Sequence, residues 1–166
     1  MAMLFILSGL PGTGKTTIAR AFARRANATY LRVDTIEQAL RDLCDWNVQG
    51  EGYRLAYRVA RDNVQLGLSV VVDSCNPIEL TRREWEEVAV SCNVDFVNIE
   101  VICSDSAEHR GRIEQRTADI AGLVVPTWAE VTTRTYDAWE RPRIQIDTAG
   151  CTVNDCIEKH LHQFLR

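Results

Sequence analysis

The sequence predicts an α/β fold, a parallel sheet with helices on both faces, and three observations point to it. Five apolar runs of strand length recur along the chain, segments with helical spacing separate them, and the first run breaks into a glycine-rich turn that opens a helical segment. Strands joined through helices cannot pair as hairpins, so the sheet they form is parallel and covered on both faces.

The first strand is MLFILS, residues 3–8, and the turn after it leads into TTIARAFARRA, whose apolar side chains recur at helical intervals. TYLRV (29–33) supplies the second strand, and a helix is expected over 35–43. A further helical segment precedes LSVVV (68–72), the third strand. One helix then leads to VDFVNIEVI (94–102), two more to RIQID (143–147), and a last one closes the order β-α-β-α-α-β-α-β-α-α-β-α. Helix starts are marked by Asp34 with Glu37, Asp105 with Glu108, Thr127 with Glu130, and Asn76-Pro77 followed by Glu79. The least regular stretch is TADIAGLVVP, 117–126, where a mobile flap could be accommodated.

With 166 residues and no repeat, low-complexity tract or linker, the chain is expected to be one domain over 1–166. No apolar run approaches the roughly 18 residues that span a bilayer, and Gly9 and Pro11 interrupt the first one too early for a signal peptide. A cytoplasmic location is therefore expected. Six cysteines lie in apolar segments with no C-x-x-C pair and read as reduced thiols; Cys156, His160 and His162 lack an evident fourth partner for a metal. The net charge of -4 provides no global basic field for nucleic acid. Of the 19 basic residues only Lys15 and Lys159 are lysine, which makes the lysine at the end of the glycine turn conspicuous.

Gly9-Leu-Pro-Gly-Thr-Gly14-Lys15-Thr16 satisfies G-x-x-x-x-G-K-[ST] between a strand and a helix. Gly9, Gly12 and Gly14 let the backbone of Pro11, Thr13 and their neighbours curl so that amides point at one anion, and the helix N-terminus near Lys15 to Thr17 adds its dipole. Lys15 is then expected to reach the β and γ phosphates of ATP, and the Thr16 hydroxyl to ligate Mg²⁺. Asp147-Thr-Ala-Gly150 matches D-x-x-G, but no Asn-Lys pair occurs anywhere, so the guanine motif of a GTPase is missing. That turn reads as the loop after the last strand, beside the phosphate loop.

GLPGTGKTT, LRVDTIEQAL, VVVDSCNPIELTRREW, ICSDSAEHRGRIEQR and VPTWAEV occur in an order that resembles the P-loop kinases built like nucleoside monophosphate kinases. The branch it resembles includes polynucleotide 5′-kinase, chloramphenicol phosphotransferase and bacterial kinases known as ATP-binding proteins. The resemblance implies that Asp34 accepts the proton of an acceptor hydroxyl; as residues alone, Asp34 and Glu37 equally form a capping box. Polynucleotide 5′-kinases carry arginine three residues after this aspartate, where Glu37 stands here, and that departure argues against a nucleic-acid end as acceptor. Asp73 ends the third strand, either reaching Mg²⁺ or holding the acceptor, or merely terminating the strand. Asn76 and Arg82 are assigned to the acceptor, with Arg83 as the alternative to Arg82.

His109, Arg112 and Arg116 fall at i, i+3 and i+7, one face of a helix just ahead of the flap. By resemblance to an R-x-x-x-R pair, Arg112 would stack on adenine and Arg116 would neutralise charge on the transferred phosphoryl group; a solvated face paired with Glu108 and Glu114 is the other reading. Trp128 reads as core. Together these readings predict a P-loop NTPase of three-layer α/β/α fold, strand order 2-3-1-4-5, with a small helical lid around 110–127. The expected activity is transfer of the γ-phosphate of Mg·ATP to a small-molecule hydroxyl; a nucleotide-binding regulator with a protein partner, or a nucleic-acid end kinase, are the rivals.

Overall fold

A computed structural model describes residues 1–165, and in it the chain forms β1 (Met3–Ser8), α1 (Lys15–Ala26), β2 (Thr29–Arg32), α2 (Val33–Cys44), α3 (Glu51–Gln65), β3 (Val70–Asp73), α4 (Glu79–Ser91), β4 (Asp95–Ile102), α5 (Ser106–Glu114), α6 (Trp128–Thr133), β5 (Ile144–Asp147) and α7 (Val153–His160), with a 3-10 turn at His162–Phe164. Each strand lies within two residues of its sequence-based bounds. All four pairings are parallel and the order is β2-β3-β1-β4-β5, as the sequence predicts. No helix among the described residues is long and apolar enough to cross a membrane.

The period of two along β1 divides the core. Phe5 and Leu7 face α1 and α7, packing with Ile18, Phe22, Val101, Ile146, Ile157 and Leu161. Leu4 and Ile6 face the other way, onto Ala56, Ala60 and Val64 of α3 and Trp85 and Val88 of α4. Register then matters for everything that follows: Arg32 pairs with Asp73, and Asp73 with Leu7, so three strands deliver their carboxyl ends side by side.

Two of the expected caps form. Asp105 accepts the amides of Ala107 and Glu108 at 2.9 and 3.0 Å, and Thr127 and Glu130 close a reciprocal capping box. Two do not. Helix α2 already begins at Val33 with no side-chain cap, so Asp34 sits inside its first turn with its carboxylate uncommitted to the helix end. Helix α4 starts at Glu79, whose amide is accepted by Asp137 Oδ2 at 2.8 Å, which relieves Asn76 of that task.

Asn76 and Arg82 depart from the expectation that they face an acceptor. Asn76 is fully buried in the left-handed region (φ 46), where its Nδ2 donates to Ser8 Oγ at 2.9 Å and its Oδ1 accepts from Trp85 Nε1 at 3.1 Å. Arg82 is fully buried as well, donating to the carbonyls of Asn76, Asp137 and Ala138 between the rings of Tyr136 and Trp139. A buried guanidinium needs its nitrogens satisfied, and here each of the three donates to a backbone carbonyl. Arg82 therefore clamps residues 136–139 onto α4, while Arg83 is exposed.

Replacing Asn76 by alanine removes two buried hydrogen bonds and leaves a β-carbon in left-handed backbone. Asn76→Ala is expected to cost about 3 kcal/mol of stability, read from the midpoint of urea unfolding at unchanged slope.

Candidate functional site

The glycine turn after β1 is shaped by two close approaches. A Cβ on Gly9 (φ +149) would lie 2.3 Å from the Val101 carbonyl oxygen, and one on Gly12 (φ +80) would lie 2.5 Å from Ile113 Cδ1. Thr13 Oγ1 donates to the Leu10 carbonyl at 2.9 Å, closing the curl, and α1 begins at Lys15 with its N-terminus toward the turn.

Two supports brace the turn from outside. His109 Nε2 lies 2.8 Å from the Pro11 carbonyl oxygen, with the half-buried Trp128 ring edge-on to the imidazole at 5.1 Å. On the other side Thr148 Oγ1 donates to the Thr13 carbonyl at 2.7 Å, and Arg112 reaches Thr148 Oγ1 at 2.7 Å and its carbonyl at 3.1 Å. The Asp147–Gly150 turn is the expected loop beside the phosphate turn: Asp147 Oδ1 accepts the amides of Ser104 and Ala149, and Gly150 donates its amide to Glu108.

Beneath the turn Lys15 Nζ donates to Asp73 Oδ1 at 2.6 Å, with both side chains buried. Burial opposes charge on each, yet the pairing prevails: it raises the Lys15 ammonium above its ordinary value and holds the Asp73 carboxyl below its own. Tyr30 Oη donates to the second Asp73 oxygen at 2.7 Å, and burial followed by that carboxylate pushes the phenol up. Thr16, next to Lys15 on α1, adds to the lowering of the Asp73 carboxyl. A threonine hydroxyl beside a carboxylate is a set of hard oxygens of the kind that suits Mg²⁺, which binds through few protein ligands and keeps its waters and phosphates.

A cavity of about 590 Å³ opens above this pair. Gly9, Pro11, Gly12, Gly14, Lys15, Thr16, Thr17, Arg112 and Arg116 line it, whereas Thr13 is buried behind the turn and Asp73 under Lys15. Asp34, Glu37, Arg41, Cys75, Asp119 and Arg134 line it as well, with residues 123–126 of the segment between α5 and α6, and the Cys75 carbonyl accepts the Gly9 amide at 3.1 Å. Glu37 pairs with Arg41 at 3.5 Å; burial first raises its carboxyl, with Arg41 opposing. Because α5 ends at Glu114, Arg116 lies past the helix, so the expected three-residue stripe reduces to His109 and Arg112, of which His109 is a brace.

Sequence reasoning missed Arg32 and Asp119. The Arg32 side chain is 2% exposed and takes Asp119 in a fork, Nη1 to Oδ2 at 2.8 Å and Nη2 to Oδ1 at 3.1 Å; Arg20 adds a third contact at 2.8 Å. The available signal was an arginine at the end of a strand otherwise composed for burial.

Comparison with known proteins bears on the family and the fold. The model of the AAA domain family (AAA_33) matches residues 4–141. An L-seryl-tRNA(Sec) kinase of Methanococcus maripaludis is 28% identical over 158 residues, 88% of this chain; the chain spans only 59% of that relative's length. Among solved structures, the APS kinase CysC of Mycobacterium tuberculosis in complex with AMPPNP and APS superposes with a TM-score of 0.72 over 98% of this chain and 96% of that one, at 16% identity. A gluconokinase of Sinorhizobium meliloti gives 0.67 over 98% and 90%, also at 16% identity. At such identities the likeness establishes the P-loop kinase fold.

The Asp119 carboxyl is lowered to about 2, chiefly by its hydrogen bonds to Arg32. A carboxyl depressed in the folded state contributes stability that is present above its unfolded value, near 3.9, and disappears as pH falls through 2. The melting temperature of wild type should therefore exceed that of Asp119→Asn by a constant margin at pH 5–7, and the margin should shrink from pH 4 toward pH 2.

Proposed function

This chain belongs to the AAA domain family, and we propose on that premise that it is an ATP-dependent phosphotransferase moving the γ-phosphate of Mg·ATP to a hydroxyl of a small-molecule acceptor. The observation that carries the reading is Asp34, a carboxylate lining the same cavity as the phosphate turn that caps no helix and has only a 3.6 Å contact with Arg32.

The turn at Gly9–Thr17 and the N-terminus of α1 bind the phosphates through backbone amides, with Lys15 on the β and γ groups. Thr16 and Asp73 are the residues that would hold Mg²⁺, which would supply positive charge to the phosphate groups. Arg112, fixed by Thr148 and Glu108, presents a planar guanidinium to the adenine, and Arg116 faces the transferred group. Asp34 orients the acceptor oxygen and takes its proton as that oxygen bonds to the γ-phosphorus. The bond from the γ-phosphorus to the bridging oxygen breaks, and ADP leaves with the electron pair. The walls at 123–126 exclude water from this exchange.

The cavity lining mixes carboxylates with guanidinium groups, Arg41 and Arg134 among them, and Glu37 repels a polyanionic strand. Together with the net charge of -4, this supports a small acceptor over nucleic acid, although one relative is named as a kinase of seryl-tRNA. A single domain with a lid around 110–127, acting in the cytoplasm, completes the reading.

ADP release across nucleosides, sugars, aminoglycosides and amphenicols identifies the acceptor class. Asp34→Asn should keep the Mg·ATP dissociation constant within about twofold and lower acceptor-dependent ADP release by about 100-fold or more. Full activity of Asp34→Asn would instead favour a regulator acting through a protein partner. Lys15→Ala should weaken Mg·ATP at least about tenfold by calorimetry, and unchanged affinity would overturn the nucleotide site altogether.

A further inference from the structure

Arg32 stands at an unusual crossing. Its side chain, at the carboxyl end of β2, is 2% exposed yet lies among three carboxylates: Asp119 at 2.8 and 3.1 Å, Asp34 at 3.6 Å and Asp73 at 3.8 Å. Only Asp119 is hydrogen-bonded, and Arg32 Nε has no hydrogen-bond partner at all. Asp73 is bonded to Lys15, whereas Asp34 lines the cavity. Asp119 lines that cavity too, but it comes from the segment 115–127 between α5 and α6, which has no regular helix or strand.

We propose that Arg32 is a positioning residue that exchanges partners, holding Asp119 when the 115–127 segment is docked and pairing with Asp34 when it is not. With Asp119 in place, both terminal nitrogens of the guanidinium are occupied, and Asp34, 3.6 Å from Nη2, keeps its charge for the acceptor hydroxyl. Without it, a buried guanidinium cannot remain unpaired, and the nearest carboxylate able to accept the freed Nη2 is Asp34. Asp73 is the poorer substitute, because it faces Nε at 3.8 Å rather than Nη2, and each of its oxygens already accepts from Lys15 or Tyr30. A small rotation shortens the 3.6 Å ion pair to a hydrogen-bonded one and withdraws Asp34 from the hydroxyl. Arg20, on α1 with its guanidinium over the Tyr30 ring, reinforces the docked arrangement through its own bond to Asp119. Docking of the segment and readiness of Asp34 are thus one event.

This exchange deepens the phosphotransferase reading and rests on it for its catalytic consequence, but the pairing itself is testable without an acceptor. Substitution of Arg32 would leave three carboxylates facing one another and risks unfolding, so the variants are placed on the carboxylates. Thermal unfolding at pH 7 is measured for wild type, Asp34→Asn, Asp119→Asn and the double variant. Asp34→Asn alone should change the melting temperature by no more than about 1 °C, whereas in the Asp119→Asn background it should lower it by about 3 °C further. Additive effects would mean that Arg32 does not move to Asp34, and would overturn the exchange.

The kinetic arm uses whichever alcohol of the panel turns over. Asp119→Asn should lower kcat at least about tenfold with the KM for ATP within twofold, and Asp119→Glu should recover most of it. Parallel changes in kcat and the KM for ATP would identify Asp119 as a plain strut of the segment and defeat the coupling. If no alcohol turns over, the phosphotransferase reading fails, while the thermal cycle still decides the exchange.

Discussion

A buried ammonium–carboxylate contact, Lys15 to Asp73 at 2.6 Å, is the constraint on which the site depends. Each charge is costly to remove from water, and neither is tolerable without the other. Their meeting requires β3 to lie beside β1 in a register that sets Asp73 next to Leu7, directly under the turn that ends in Lys15. The sheet order and the glycine turn are therefore two halves of one arrangement. Tyr30 donates to the other Asp73 oxygen, so each oxygen of that carboxylate accepts one hydrogen bond and its geometry is fixed.

From that centre the polar contacts spread in both directions. Toward β4 and β5, Thr148 and Arg112 link the last strand's loop to the Thr13 carbonyl, and His109 holds Pro11, so helix α5 is joined to the phosphate turn at two points. Toward β2, Arg32 carries the network from Asp73 to Asp34 and outward to Asp119. Contacts that stay within the buried ends of strands are rigid by packing. Those that leave it, as at Asp119 with its side chain 38% exposed, are held by charge alone and are correspondingly easy to release.

Some assignments failed for a common reason. Asn76 and Arg82 looked like acceptor ligands because they follow the aspartate at the end of β3, yet burial turned both into structural fasteners. The same residue types can hold a ligand or a loop, and which one they do depends on whether a backbone carbonyl or a cavity lies in front of them. Asp34 shows the converse. Its spacing to Glu37 permits a capping box, and only the start of α2 at Val33 places the carboxylate beyond that use.

The sequence by itself determined the alternation of strands and helices, the phosphate turn, and two of the four caps, because these depend on short-range periodicity and on residues a few positions apart. It also located Asp34, Lys15, Thr16, Asp73 and Arg112 as candidates, since each lies at a strand end or on a helix flanking the turn. Tertiary structure alone decided that Arg82 is buried, that Arg116 lies past its helix, and that Arg32 meets Asp119 across 87 positions of chain. Such contacts are set by which strand ends the sheet aligns and by the need to pair a buried charge, and no local pattern in the chain encodes either.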